Sequence, residues 1–235
     1  MKKIVLILHV LAFATHLSAQ SLIGAWQMTT TDEAGREIKN VVIFSEKHQV
    51  ATWHDLKTGE FISCNGGGWS QDGNVLTETV EFDTNTPERV GTEVAFEIQF
   101  DDNKLSAVDY NIVWSRIDDG SPGLLSGAWL ITSRMRSGQM QSISTDRSRK
   151  TMKILSGTRF QWIAYDTESK EFKGTGGGTY TTTNGKYTEK IEFFSRDISR
   201  VGASLEFDFE LKLGDWVHSG KTSKGDPLYE FWSPR

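Results

Sequence analysis

Two glutamates stand on strand faces that are otherwise apolar. In Tyr187-Thr188-Glu189-Lys190-Ile191-Glu192-Phe193, Glu189 shares its parity with Tyr187, Ile191 and Phe193; upstream, Glu78 shares its parity with Leu76, Val80 and Phe82. Alternate side chains of a strand point to one face, so each pattern sets a carboxylate among core residues. Burial disfavours the charged form unless a cation or hydrogen-bond donors compensate, and an unpaired buried charge is strongly destabilising. A partner is therefore expected. For Glu189 the candidates are His218 (on a face with Trp216), Arg159 and Arg200; for Glu78 they are Arg89 and His48. A structural ion pair or hydrogen-bond network meets that need, and so does the polar anchor of a small-molecule site. Occurrence in both segments favours the structural role.

Other chemistry has less support. Beyond the first 20 residues the only histidines are His48, His54 and His218, without the ligand spacing of a zinc site. Ser, His and Asp occur, but no strand-turn-helix nucleophile pattern accompanies them, and no catalytic residue, metal or cofactor is expected. The single cysteine, Cys64, has no activating neighbour in sequence and reads as a small core residue. Trp162, Tyr165, Tyr180, Tyr187 and Trp216 either fill a core or line a cup. Arg134, Arg136, Arg147, Arg149, Lys150 and Lys153 form a local basic patch.

The elements that position these residues are written twice. Leu22-Ile23-Gly24-Ala25-Trp26 returns as Leu125-Ser126-Gly127-Ala128-Trp129. Asp55, Phe61, Gly66-Gly67, Thr77-Glu78, Glu81-Phe82, Arg89-Val90-Gly91 and Phe96 return as Asp166, Phe172, Gly177-Gly178, Thr188-Glu189, Glu192-Phe193, Arg200-Val201-Gly202 and Phe207, always 111 residues on (166 minus 55). A period of that length is a duplicated domain rather than a solenoid unit.

Strand patterns dominate. Leu205, Phe207, Phe209 and Leu211 alternate with Glu206, Asp208, Glu210 and Lys212, the signature of a sheet covered on one face. In the second copy strands are expected near 126–135, 139–146, 150–156, 158–166, 171–182, 186–195, 204–213 and 215–219, with 228–233 as a closing ninth. Tight turns at Asn184-Gly185 and Leu213-Gly214-Asp215 suit hairpins. Many short strands in hairpin order predict an all-β chain of two tandem, small, antiparallel up-and-down β-barrels. The runs Gly66-Gly67-Gly68 and Gly176-Gly177-Gly178 lie inside strands, where glycine permits sharp bends. No helix start follows them, which argues against a phosphate loop.

The first 19 residues, with Lys2-Lys3, an apolar run from Ile4 to Ala14 and the exit Leu17-Ser18-Ala19, read as an export signal. The expected division is a signal over 1–19, a first barrel over 20–117, a linker over 118–124 and a second barrel over 125–235. From Gln20 to Gly120 there are 7 Lys and Arg against 18 Asp and Glu; from Ser121 to Arg235 there are 17 against 13. An exported acidic chain makes nucleic acid an improbable partner, and no apolar stretch after the signal is long enough to span a membrane.

Gly24-x-Trp26 and Gly127-x-Trp129 on first strands, with Trp114-Ser115-Arg116 and Trp232-Ser233-Pro234-Arg235 at the ends of the copies, resemble the lipocalin/calycin superfamily of small-molecule-binding barrels. The run from Gly157 to Asp166, with Phe172, the Gly176 run, Tyr180 and Tyr187–Phe193, is more closely similar to a lipocalin-like domain of secreted bacterial proteins. The resemblance implies a Trp at the closed end of each barrel with the late Arg lying across it. It also implies a secreted or periplasmic, non-catalytic protein that binds a small apolar or amphipathic molecule. The expected ligand contacts are Trp162, Tyr180, Tyr187, Glu189, Phe207, Trp216 and His218 in the second barrel and Glu78 in the first. The alternative is an interaction module whose filled barrels meet another envelope protein.

Overall fold

The computed structural model describes residues 21–222 and 225–235; the expected export signal over residues 1–19 lies outside them. The first copy runs through β1 (Gly24–Thr31), β2 (Glu37–Phe44), β3 (His48–Asp55), β4 (Phe61–Asp72), β5 (Val75–Asp83), β6 (Glu93–Phe100), β7 (Lys104–Ala107) and β8 (Ile112–Asp118). Consecutive strands pair antiparallel, and β8 returns to β1 to close the barrel.

The second copy runs through β9 (Gly127–Arg136), β10 (Gln139–Ser142), β11 (Arg149–Leu155), β12 (Arg159–Asp166), β13 (Glu171–Thr183), β14 (Lys186–Phe194), β15 (Ser204–Lys212), β16 (Asp215–Lys221) and β17 (Pro227–Pro234). Here β17 closes on β9, and β10 pairs with β9 alone. The two tandem antiparallel barrels expected from the alternation are therefore present, each closed by eight strands. The hairpin bearing β10 explains a change of step: Gly127 follows Gly24 by 103 residues, whereas Asp166 follows Asp55 by 111, and the extra residues lie in this hairpin. Among the described residues no helix is long and apolar enough to cross a membrane.

Strict alternation breaks at one place in each copy. Gly66 pairs with Phe82 but Gly67 pairs with Val80, and likewise Gly177 with Phe193 but Gly178 with Ile191. Glu81 and Glu192 are thus the extra residues of β-bulges. A bulge reverses the facing of all that follows it. Phe82 and Phe193, expected on the same face as Glu78 and Glu189, point out of their barrels instead. The glycine runs accommodate them. A Cβ on Gly66 would lie 2.8 Å from the Phe82 ring, and one on Gly177 would lie 2.7 Å from the Phe193 ring.

These outward faces meet. Val41, Ile43, Val50, Cys64 and Phe82 of the first barrel form one buried cluster with Met152, Ile154, Ile163 and Tyr165 of the second. The contacts are reciprocal. Phe82 packs on Tyr165 with ring centroids 4.8 Å apart, and Phe193 packs on His54 at 5.0 Å. Since 82 and 193, and 54 and 165, are each one repeat step apart, this is a single contact made twice. Such self-complementarity is the mark of an isologous two-fold interface, here within one chain. The bulge glutamates are ion-paired as well, though with partners that the repeat does not relate. Glu192 accepts from Lys39 at 3.1 Å and Arg159 at 2.6 Å, while Glu81 accepts from Arg235 at 2.6 Å and from the Tyr165 hydroxyl.

The linker is also tied down. The Asp118 carboxylate accepts from the Ser156 hydroxyl (2.8 Å), the Gly157 amide (2.9 Å) and the Thr158 hydroxyl (2.6 Å). At the closed ends, Trp26 and Trp129 donate their indole N–H to the carbonyls of Leu22 and Leu125, both at 2.9 Å. Arg116 lies across Trp26, 3.9 Å from the ring centroid, and donates to the carbonyls of Ile23 and Ser21. In the second copy Arg235 does not repeat this stacking; it is drawn to Glu81 and the Tyr165 hydroxyl at the inter-barrel seam.

Candidate ligand-binding cup

One barrel is hollow and the other is full. A cavity of about 340 Å3 opens in the first barrel, within the range of small-molecule sites. Val42 and Phe44 of β2, Ala51 and Trp53 of β3, Asn65 of β4, Leu76 and Glu78 of β5 and Phe96 of β6 line one side. Leu105 and Ala107 of β7, with Tyr110, Ile112 and Trp114, line the other. Trp53, Asn65 and Arg89 also border a shallower surface cleft of about 530 Å3, which marks the mouth. Inside the barrel, Trp114 of the cup lining donates its indole N–H to fully buried Asn40, whose amide donates to the Thr52 carbonyl.

The repeat explains the difference residue by residue. One step of 111 from Val42, Leu76, Leu105 and Ala107 stand Lys153, Tyr187, Trp216 and His218. Each residue of the first set lines the cup, and each counterpart is larger and buried in the second barrel. Tyr187 meets Trp216 edge-on at 5.1 Å, Phe207 meets His218 at 4.4 Å, and Trp129 meets Trp216 at 5.9 Å. Tyr180 packs on Tyr187 and donates its hydroxyl to the Ser156 carbonyl at 2.6 Å.

The expected ligand contacts fall in different settings. Tyr180, Tyr187, Glu189, Phe207, Trp216 and His218 form the packed interior of the second barrel. Trp162 lies partly buried against Phe194, beneath Arg196. Glu78 alone of the expected residues lines the cup. Small barrels are filled by side chains unless residues are small enough to leave room, and that condition is met only in the first copy's set.

The partner of Glu189 is none of the three expected. Lys153, one of the local basic patch read from the sequence, lies inside the barrel and donates to Glu189 at 3.0 Å; the two side chains are 6% and 7% exposed. Its ammonium also stands 4.9, 4.7 and 5.4 Å from the ring centroids of Tyr187, Trp216 and Trp232, a favourable cation–π setting. His218 instead faces Glu230 at 3.4 Å, Arg159 pairs with Glu192 and Arg200 with Asp197. Burial, then the Lys153 charge, holds His218 below its ordinary value. Lys153 shares its parity with Leu155, and since both faces of β11 are covered, alternation could not reveal it. The detectable signal was Lys153 standing one repeat step from an apolar Val42.

Glu78 has no such cation. Among the described residues it makes no hydrogen bond or ion pair, and burial pushes its carboxyl up to about 7. Arg89, a candidate partner, pairs with Asp83 at 2.9 Å. The other candidate, His48, is placed near the inter-barrel seam, where burial and then the Arg235 charge lower it to about 4. The cup thus offers apolar and aromatic walls, one free carboxyl, one ion-paired guanidinium, an amide and a phenol. Cys64 is buried in the seam, and burial pushes its thiol well up, away from reactivity.

Set against known proteins, the chain matches no family model, and no curated protein matches it. Fold and cavity together define a tandem of two closed β-barrels, one carrying a cup and the other a filled core.

Proposed function

We propose that this is an exported, non-catalytic protein of lipocalin-like type that holds a small apolar or amphipathic molecule in the cup of its first barrel. The observation that carries the reading is the contrast just described: smaller residues at Val42, Leu76, Leu105 and Ala107 vacate about 340 Å3 that the second barrel fills. Cavities cost stability, since the side chains lining them lose contact partners. A hollow beside a full homologous core is thus consistent with a retained binding function. Export is supported by residues 1–19 and the resemblance by the Gly-x-Trp and late Arg elements. The polar groups of the cup are suited to orienting a guest rather than to nucleophilic attack.

Titration with the neutral dye N-phenyl-1-naphthylamine tests this. One site per chain is expected, lost in Leu105→Trp, which installs the second barrel's residue. Absence of uptake, or uptake unaffected by that substitution, contradicts the reading.

A second reading, contact with another envelope protein, draws on the hairpin bearing β10. Arg134, Arg136, Arg147 and Arg149 gather around it with no ion pair among the described residues. Cross-linking in the host envelope, with Arg136→Glu and Arg147→Glu as controls, separates this reading from the first.

A further inference from the structure

The second barrel contains a cation of its own, and the first lacks one at the same place. Lys153 extends its ammonium to Glu189 against the rings of Tyr187 and Trp216. One repeat step back stand Val42, Glu78, Leu76 and Leu105: the acid is retained, while the cation and two of its aromatic walls give way to smaller apolar residues that line the cavity. Resting on the reading of the first barrel as a binding cup, we propose that its ligand is an organic cation, with an ammonium head at Glu78 and an apolar body along the barrel wall.

The charges around the cup point the same way. Among the described residues, Arg89 and Asp83 are the charged groups whose fields act on Glu78. They form a 2.9 Å ion pair in which the Asp83 side chain is only 3% exposed, so they largely neutralise one another. The Glu78 carboxyl is the charge left over. An anionic head placed there meets a like charge, whereas an ammonium completes the arrangement that Lys153 makes internally. Aromatic walls remain for it: Trp114 corresponds to the Trp232 that faces Lys153, and Phe96 and Tyr110 meet edge-on at 5.6 Å on the cup lining. Ring faces attract ammonium groups, more so where water is excluded.

Displacement of N-phenyl-1-naphthylamine by octyltrimethylammonium and by octanoate, at pH 8, tests the proposal. Octyltrimethylammonium should displace the dye at a concentration at least tenfold lower than octanoate does. Glu78→Gln should abolish that preference while dye binding persists, and Val42→Lys, which imports the internal cation, should abolish the binding of octyltrimethylammonium. The wild-type comparison depends on no variant. Octanoate displacing the dye as well as the cation, or a preference that survives Glu78→Gln, overturns the cation assignment and leaves the cup reading intact. No uptake of the dye or of either amphiphile, measured by calorimetry, overturns both.

Discussion

Phe61 stacks on Phe172 with ring centroids 5.6 Å apart and planes 12° from parallel, and the two are the same position of the repeat. A residue that meets its own counterpart marks the pseudo-two-fold axis between the barrels. Around that axis lie the reciprocal Phe82–Tyr165 and Phe193–His54 contacts. Much of what the copies share, Glu81-Phe82 and Glu192-Phe193 included, thus serves the joint between barrels as well as each barrel's own closure.

The joint predicts joint unfolding. Because the seam buries residues of both copies in one cluster, denaturation by urea should give a single transition with coincident fluorescence and circular-dichroism midpoints. Phe82→Ala and Phe193→Ala should each cost about 3–5 kcal/mol, as large aromatic truncations in a core do. Two separated transitions would contradict the account.

Inside the second barrel, Lys153→Met leaves Glu189 buried without its cation. A loss of roughly 3–5 kcal/mol is expected, the usual result of removing one partner of a buried pair. The double variant Lys153→Met/Glu189→Gln should recover most of that loss, since neither uncompensated charge remains. A double-mutant cycle by urea denaturation measures this coupling; additive losses would show that the pair is not coupled.

Stability should fall in acid through the seam. Burial, then the Lys39 charge, lowers His54 from an ordinary 6.5 to about 4. The unfolded chain therefore binds more protons than the native one between those values, and stability rises with pH across that window. It is lost as pH falls from 6.5 through 4. His54→Phe should flatten the dependence in part, since His48 is lowered to about 4 as well and contributes with the same sign. An unchanged pH profile in that variant would exclude His54 as a contributor.

The cup should respond to pH in the same direction, through a carboxyl that ionises rather than an imidazole that loses its charge. With its carboxyl pushed up to about 7 by burial, Glu78 is largely neutral at pH 6 and largely ionised at pH 8. Binding of octyltrimethylammonium, whose charge is fixed, should strengthen by up to about tenfold over that interval. The neutral dye should show no comparable change, and Glu78→Gln should remove the dependence.

Most of the architecture was legible because its signals are local. Alternation, hairpin turns and the glycine runs located the strands of the second copy to within a few residues, including the closing strand at Pro227–Pro234. What escaped were features that depend on register across strands. The bulges at Glu81 and Glu192 leave no mark in period-two alternation, yet they decide that Phe82 and Phe193 face the other barrel. Lys153 was not among the expected partners of Glu189, because a strand buried on both faces loses the contrast between polar and apolar positions. Aromatic residues such as Tyr180, Tyr187 and Trp216 can line a cup or fill a core, and alternation does not tell the two apart. Large side chains fill a small barrel, and the cup opens where Leu76, Leu105 and Ala107 are smaller.

The central claim, that the first barrel is the one that binds, is tested most directly by native mass spectrometry of the protein purified from its own host envelope. The account predicts a reproducible small-molecule adduct at one per chain, absent from Leu105→Trp purified in the same way. Protein that carries no adduct, or an adduct that persists with the cup of the first barrel plugged, would contradict it.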